Sequence, residues 1–334
     1  MPPHVRAGAD DDGRRLDRIV RRVLPELPLS AIHRLFRQGR ILLDGSPAAP
    51  DSRVRTGQII GIPGNVTPRR EGQPPGTEDP PESRDPPVPY LPPLDILRET
   101  PDLLFLNKPA GLVVHGPESL DTVVQAYLAP KRSPSLSFRP GPLHRLDKPA
   151  GGVIVFSASL AGARYFSALL REGRIVKRYL ALTDGAITEP AIWEDRLLRD
   201  RIEKKTRILS QFPGGPSRGP VSEDPDRAKP ARTRVFPLIA RTRYTLAMLE
   251  IDTGRTHQIR AQAAYHRHPL AGDRKYGGSF QCCRLLLHAW SLTLPFPPGE
   301  DRTETITAPI PRIFRSRLRE LFSAEDLKNT GFDL

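Results

Sequence analysis

Ten of the thirty residues from Gly64 to Pro93 are proline, and few of the others are aliphatic. Proline lacks the N–H that a helix or a sheet interior needs, and its φ is fixed at about −65°. Such a stretch cannot build a core and predicts an extended, semi-rigid tether. The chain must then fold as two parts, residues 14–63 before the tether and 94–320 after it. Residues 1–13 are expected to be disordered and 321–334 to form a tail. At 334 residues the chain has room for two domains, one of them with a sizeable core. A shorter loop of similar flavour at 210–230 predicts a flexible insertion in the second part.

The part before the tether is rich in arginine. Arg14, Arg15, Arg18, Arg21, Arg22, Arg34, Arg37 and Arg40 meet only Asp17 and Glu26 over the same stretch. Leu16, Ile19, Val20 and Val23 fall at i, i+3, i+4 and i+7, which gives a helix one apolar face and leaves the cations opposite. Pro25 and Pro28 end that helix. Ser30 is read as the N-cap of a second one, which holds Ile32, Leu35 and Phe36 and stops at Gly39. A strand at Ile41 to Leu43, a turn at Asp44-Gly45 and a closing strand at Gln58 to Ile62 follow. Over the whole chain 51 Lys+Arg against 38 Asp+Glu give a formal charge of +13. That excess favours a polyanionic partner, because each phosphate neutralised releases counterions. Its concentration on one arm points to RNA.

Composition also excludes. No apolar run approaches the ~20 residues that span a bilayer, and Met1 to Arg15 lacks the apolar segment of a secretion signal. Cys282 and Cys283 are adjacent and cannot staple distant segments, so a reducing cytoplasm is the expected setting. Their spacing is poor for zinc, and no metal site is expected.

The second part carries three segments with chemical content. His144-Arg145-Leu146-Asp147 sets a carboxylate between cations, just ahead of Gly151-Gly152 and the apolar strand Val153 to Phe156. A carboxylate placed there needs a charge partner or a chemical job. Gly254-Arg255-Thr256-His257-Gln258-Ile259-Arg260 follows a strand at Thr245 to Asp252. Thr256 is read as the N-cap of a helix burying Ile259 and Ala263, so Arg255 and Arg260 sit at a strand-to-helix junction that favours anions. Lys177 to Leu182 is a strand with Tyr179 on the face opposite Val176, Leu180 and Leu182. Leu103 to Leu106 is a further strand, and Ser159 to Leu170 a helix with Ala163, Phe166 and Leu170 inward. Pattern alone supports a mixed α+β body.

These segments resemble the signature motifs of the RluA-type family of RNA pseudouridine synthases. The likeness begins at Leu104 to Gly111 and Val114-His115-Gly116 and runs through the His144–Asp147 loop and Gly254–Arg260. It continues into His268 to Asp273 and Tyr276-Gly277 and closes on Leu287-His288-Ala289, so that roughly residues 94 to 315 are covered. The two short helices and small sheet of the basic arm resemble the S4 RNA-binding module, which precedes the catalytic domain in many members. The resemblance implies an α+β protein: a small S4-like α/β module, then a catalytic domain with a bent, mostly antiparallel sheet and a central cleft.

It also implies a reaction, the isomerisation of uridine to pseudouridine, which exchanges no electrons and calls for no cofactor. Asp147 matches the essential aspartate, which attacks C1′ or deprotonates C2′. Arg260 matches the arginine that lowers the pKa of that carboxylate and orients it. Tyr179 matches the tyrosine that stacks on the base and is a candidate for removing the C5 proton. Arg145 matches the residue that fills the space left by the flipped base. His144 is assigned to RNA contact or loop support, and Arg255, Arg14, Arg15, Arg18, Arg34, Arg37 and Arg40 to RNA contact. Large-subunit ribosomal RNA is the favoured substrate and transfer RNA the runner-up, with the protein acting as a monomer away from membranes. Two rivals stand beside this reading: an idle RNA-binding or ribosome-assembly protein, and a glycosidase, which would need a second acid. The chain departs from the family at Ala150-Gly151, where Thr-Ser is usual, and at Gln262, where histidine is common. Both departures bear on loop rigidity and rate more than on reaction type.

Overall fold

The computed structural model describes residues 4–64, 93–131, 135–200, 202–209, 227–280, 284–296 and 302–332. Nearly all of the tether, the expected insertion up to residue 226 and the Cys282-Cys283 pair lie outside the described residues.

The arginine-rich arm folds around a core of its own. Helices α1 (Leu16–Val23) and α2 (Leu29–Arg37) turn the predicted apolar residues inward, with Leu16, Ile19, Val20 and Ile32 fully buried. Pro28 rather than Ser30 is the N-cap of α2: its fixed φ sets the chain before the first turn, and Ser30 falls inside the helix. Strands β2 (Leu42–Leu43), β3 (Ser46–Pro47) and β4 (Ile59–Gly61) form a small sheet.

The expectation of a disordered start is overturned from His4 onward, residues 1–3 lying outside the described residues. His4–Arg6 is strand β1, paired antiparallel with β4 at the sheet edge. It leads into a 3-10 turn at Ala9–Asp11 that fastens the arm to the second part. The Asp11 carboxylate is fully buried and accepts from five donors: Gly8 N, Ser135 Oγ, Leu136 N, Ser137 N and Ser137 Oγ, at 2.6 to 3.0 Å. Asp10 accepts from Leu160 N at 2.8 Å, and Leu136 rests on the arm's core. The two parts are therefore docked as well as tethered.

The second part is built on one large sheet. Along it run β10 (Lys205–Leu209), β9 (Ala191–Asp200), β11 (Lys229–Ala240), β12 (Tyr244–Ile251), β8 (Val176–Asp184), β13 (Leu287–Pro295), β7 (Gly151–Ser157), β6 (Leu103–Lys108) and β5 (Ile96–Glu99), with β14 (Thr303–Thr307) on β13. Every described pairing is antiparallel except β13 with β7. The last residues assigned to the insertion, Lys229 and Pro230, already belong to β11. Central strands are buried on both faces, as their apolar runs predict. Ile154, Phe156, Tyr179, Leu249 and Leu287 look to one side, with Val153, Val155, Leu180 and Leu246 on the other.

Helix α3 (Leu120–Leu128) packs Leu120, Val124 and Leu128 on the first face, and the helices after β7 and β14 cover the second. Ser159 caps α4 (Leu160–Arg171) through the Gly162 N–H, and its buried residues are Gly162, Phe166 and Leu169, a stripe shifted by one from the expected Ala163, Phe166 and Leu170. Residues 321–332 are not a loose tail. Ser323 caps α7 (Ala324–Asn329), Leu327 joins the core under α6 (Arg312–Leu321), and Phe332 packs edge-on against Trp290. Among the described residues no helix is long and apolar enough to cross a membrane.

Docking through Asp11 makes a measurable claim. Asp11→Ala would strand buried donors, at a cost of about 1–3 kcal/mol. Hydrogen exchange at the Leu136 and Ser137 amides should speed up by roughly ten- to hundredfold. Unchanged protection there would show that the arm is held by something else.

Candidate active site

The cleft lies on the face that carries Tyr179 and Leu249, where the Asp147 loop, β8, the β12–α5 junction and β13 meet. Its walls include Arg145, Asp147, Tyr179, Arg255, His257 and Arg260. Four segments far apart in sequence thus supply one concavity.

The Asp147 loop is fixed from beneath. The Lys108 ammonium, almost wholly buried, donates to the carbonyls of Pro109, Leu112 and Lys148 at 2.9, 2.8 and 3.4 Å. Burial pulls its pKa down to about 8, against the attraction of Asp147. Gly111 N donates to Lys148 O at 2.7 Å, and Ala150 N to Asp147 O at 3.1 Å. Gly152 has φ +112°, and a Cβ there would lie 2.1 Å from the Ala289 carbonyl oxygen. Only glycine lets β7 approach β13 this closely. Gly151, the departure that put loop rigidity in question, sits buried within β7 opposite His288; the sheet holds it.

Helix α5 (Gln258–Tyr265) follows, and its N-cap is His257, not Thr256. His257 takes the left-handed conformation, φ +54°, a sparsely populated region for a non-glycine residue. Thr256 instead offers its carbonyl to Thr206 Oγ1 at 2.8 Å. The helix is buried on nearly every side, and its polar residues are matched in turn. Gln258 Nε2 donates to Arg232 O and Thr233 Oγ1 at 3.0 and 3.1 Å. Gln262, the second departure, donates to Trp193 O at 3.0 Å and Asp195 Oδ2 at 2.7 Å and accepts from Thr233 Oγ1 at 2.7 Å. It ties α5 to β9 and β11.

Arg260 is the centre of the arrangement. Its Nε and Nη2 grip the two oxygens of Asp273 at 2.7 and 2.8 Å, while Nη1 reaches Asp147 Oδ2 at 3.1 Å. The Tyr276 ring lies 5.2 Å from the guanidinium carbon. Burial opposes the Arg260 charge, yet bonding to Asp273 and Asp147 outweighs it and raises the pKa. Asp273 has no exposed surface in its side chain, whereas that of Asp147 is 21% exposed. One carboxylate is thus consumed as a clamp and the other is presented to the cleft. Neither Asp273 nor His257 was singled out from the sequence. A buried arginine in the first turn of a helix was the available signal, since its fork needs a carboxylate on each side.

His257 completes the rim. Its Nδ1 shares a 2.9 Å hydrogen bond with Tyr276 Oη, and Nε2 stands 3.9 Å from Asp147 Oδ2. Burial first, then Arg260, Arg199 and Lys275, bring its pKa down to about 4 in spite of Asp147. The imidazole is neutral at pH 7.

Tyr179 is buried beside Asp147, and burial first, then that carboxylate, raise its pKa. A phenol held neutral in the resting cleft offers a flat face to a base. Arg145 is exposed at the cleft edge, and Arg255, also on the lining, donates to Pro230 O at 3.3 Å. His144 turns its ring into the fold. It stacks on Phe166 at 6.0 Å and accepts from Val155 N at 3.1 Å, with a pKa lowered to about 3 by burial and Lys177. Its ring is spent on the fold.

Three histidines set into the fold give the protein a pH signature. His144, His257 and His288 have folded pKa values of about 3, 4 and 4, below the unfolded value of about 6.5. The unfolded chain therefore binds protons first as pH falls. Stability is full above pH ~6.5 and drops below it until the folded values are reached. At pH ~5.5 each histidine should cost on the order of 1 kcal/mol, a few kcal/mol together. Urea unfolding at pH 7.5 and 5.5 tests this, and equal midpoints would refute it.

Comparison with known proteins finds relatives over most of the chain. A family model described as RNA pseudouridylate synthase matches residues 102–265. Ribosomal large subunit pseudouridine synthase C of Pasteurella multocida is 30% identical over 310 residues, covering 90% of this chain and 88% of that protein. Ribosomal large subunit pseudouridine synthase D of Xylella fastidiosa is 34% identical over 279 residues, covering 80% and 73%. Among solved structures, human RNA Pseudouridylate Synthase Domain Containing 4 shares the fold, with a TM-score of 0.57 at 24% identity over 68% of this chain and 92% of that one. A sheet that presents one aspartate on an arginine clamp thus meets a family match across its central strands, and the chain belongs to the RNA pseudouridylate synthase family.

Proposed function

We propose that the protein converts uridine to pseudouridine in structured RNA, with large-subunit ribosomal RNA as its substrate. The observation that carries this is the three-way contact at Arg260, which leaves Asp147 as one oriented carboxylate at the cleft. A glycosidase would need two working acids. The second acid here, Asp273, has both oxygens bound by Arg260 and no access to a ligand. The ribosomal substrate is supported by the names of the relatives from Pasteurella multocida and Xylella fastidiosa.

In this reading the target uridine leaves its stack at a cost of a few kcal/mol, and Arg145 fills the space behind it. The ring lies against Tyr179. Asp147 acts on the sugar as the C1′–N1 bond breaks; the uracil turns, C1′ bonds to C5, and the proton lost from C5 is balanced by one gained at N1. No electrons are exchanged, so no cofactor is called for. Arg260 keeps Asp147 aimed throughout, and Asp273 keeps Arg260 aimed. The N-terminal arm acts as an S4-like module. Arg34, Arg37 and Arg40 present cations on α2 and just beyond it, and Arg14, Arg15 and Arg18 do so at the start of α1. The protein works as a monomer in the cytoplasm.

Asp147→Asn keeps shape and removes the charge, so conversion of the target uridine, mapped by carbodiimide, should vanish while RNA affinity stays within a few-fold. A variant that retained a tenth of normal turnover would show that Asp147 is not the essential group.

Arg260→Lys tests the clamp. Lysine keeps the charge but cannot grip Asp273 with a fork and still reach Asp147. Loss of aim should cost on the order of 10²-fold in kcat, as a displacement of ~1 Å can. Near-normal kcat would mean that Arg260 supplies only field.

A further inference from the structure

Docking of the arm onto the body creates a second concavity, separate from the catalytic cleft. It is lined by Arg14, Arg15, Arg18 and Arg53 from the arm, and by Leu160 and Arg164 from helix α4 of the body. Five guanidinium groups from three distant segments converge on it, and its lining contains no acid. The cavity volume, about 160 Å³, is roughly ten times what a single water needs.

The arrangement is built rather than incidental. An isolated β-bridge pairs Arg15 with Arg53 and so brings two cations side by side. Arg53 Nη1 donates to Gly13 O at 2.9 Å, and Arg14 Nη1 to Ser137 O at 3.4 Å across the seam. The neighbouring carboxylates already have partners, one of them Arg15 of the cleft itself. Asp11 serves its five donors, Asp10 takes Leu160 N–H, and Asp17 holds Arg15 in a two-pronged pair at 3.1 and 2.9 Å. Burial, then repulsion from Arg164, Arg18 and Arg22, holds the Arg14 pKa below its ordinary value, with Asp11 opposing. The docked state therefore crowds like charges that an anion would relieve.

We propose that this seam cleft seats a backbone phosphodiester of the substrate RNA, with Arg14, Arg18 and Arg53 reaching it from the arm and Arg164 from the body. The inference rests on the RNA-modifying reading above and adds a binding site to it. Guanidinium forks match phosphate oxygens in geometry as well as charge. A phosphate held from both sides favours the docked state by linkage, because it binds only where both halves are present. RNA binding and docking then strengthen one another.

The test uses the full chain and fluorescence anisotropy against salt. Its probes are a long structured RNA, a short hairpin limited to the target loop, and inorganic tripolyphosphate. Arg164→Gln should weaken binding of the long RNA about tenfold at low salt and lower the slope of log K against log salt by about one. Arg164→Lys should restore the slope. Hairpin binding should not change, and Arg171→Gln, on the same helix but outside the cleft, should leave every slope alone. Long RNA should also slow hydrogen exchange at the Leu136 and Ser137 amides, with the slowing lost in Arg164→Gln. A wild-type slope for Arg164→Gln, or an equal drop for Arg171→Gln, overturns the proposal. Tripolyphosphate bound as tightly as the long RNA, or an acidic polyglutamate that displaces the RNA in an Arg164-dependent way, would assign the cleft to a different anion. Carbodiimide mapping of wild-type samples is scored separately: no conversion there strikes the proposed reaction, while the slopes judge the cleft alone.

Discussion

Everything at the catalytic cleft depends on one guanidinium shared by two carboxylates. Arg260 is nearly buried, so its charge must be matched inside the protein. Asp273 alone could do that. The shared geometry does more, because the two nitrogens used on Asp273 fix the plane of the fork and so fix where Nη1 meets Asp147. Lys108 adds a second buried cation under the same loop. Two carboxylates and two cations are thus set against one another, and Asp147 faces the cleft with its charge partners behind it.

The clamp explains features of the chain that otherwise look costly. A helix whose residues 258 to 263 are all buried, three of them polar, is a poor choice by pattern. It is the element that carries Arg260, and Gln258 and Gln262 answer to strands β9 and β11 by side-chain bonds in place of apolar contact. The left-handed His257 starts this helix against Tyr276, the same tyrosine that flanks the Arg260 guanidinium. Local strain is thus sited where the arginine must be aimed, as is usual near functional groups.

Much of this is legible in the amino-acid pattern. The i, i+3, i+4, i+7 set in α1, the paired burial of Ile259 and Ala263, and the two-sided burial of β8 and β12 all follow from periodicity. Asp147, Tyr179, Arg255, Arg260 and Arg145 do line one cleft. What stays hidden is long-range polar matching. Asp273 gives no periodic signal, because its role is set by an arginine thirteen residues earlier. Asp11 looks like part of a loose acidic start, since four of its five donors lie more than a hundred residues away at Ser135 to Ser137. Helix caps fail for a related reason: Ser30 and Thr256 are good capping types, but Pro28 and His257 already hold the chain in place.

Docking also changes what the tether can do. Two modules joined by a free linker gain from effective concentration, which falls as the linker lengthens. Once Asp11 and Asp10 hold the arm against 135–137 and the start of α4, the arm's arginines have fixed positions relative to the catalytic cleft. RNA that meets both then binds a prearranged surface and loses less freedom on ordering. The Asp11 carboxylate and its five donors thus decide where the arm sits.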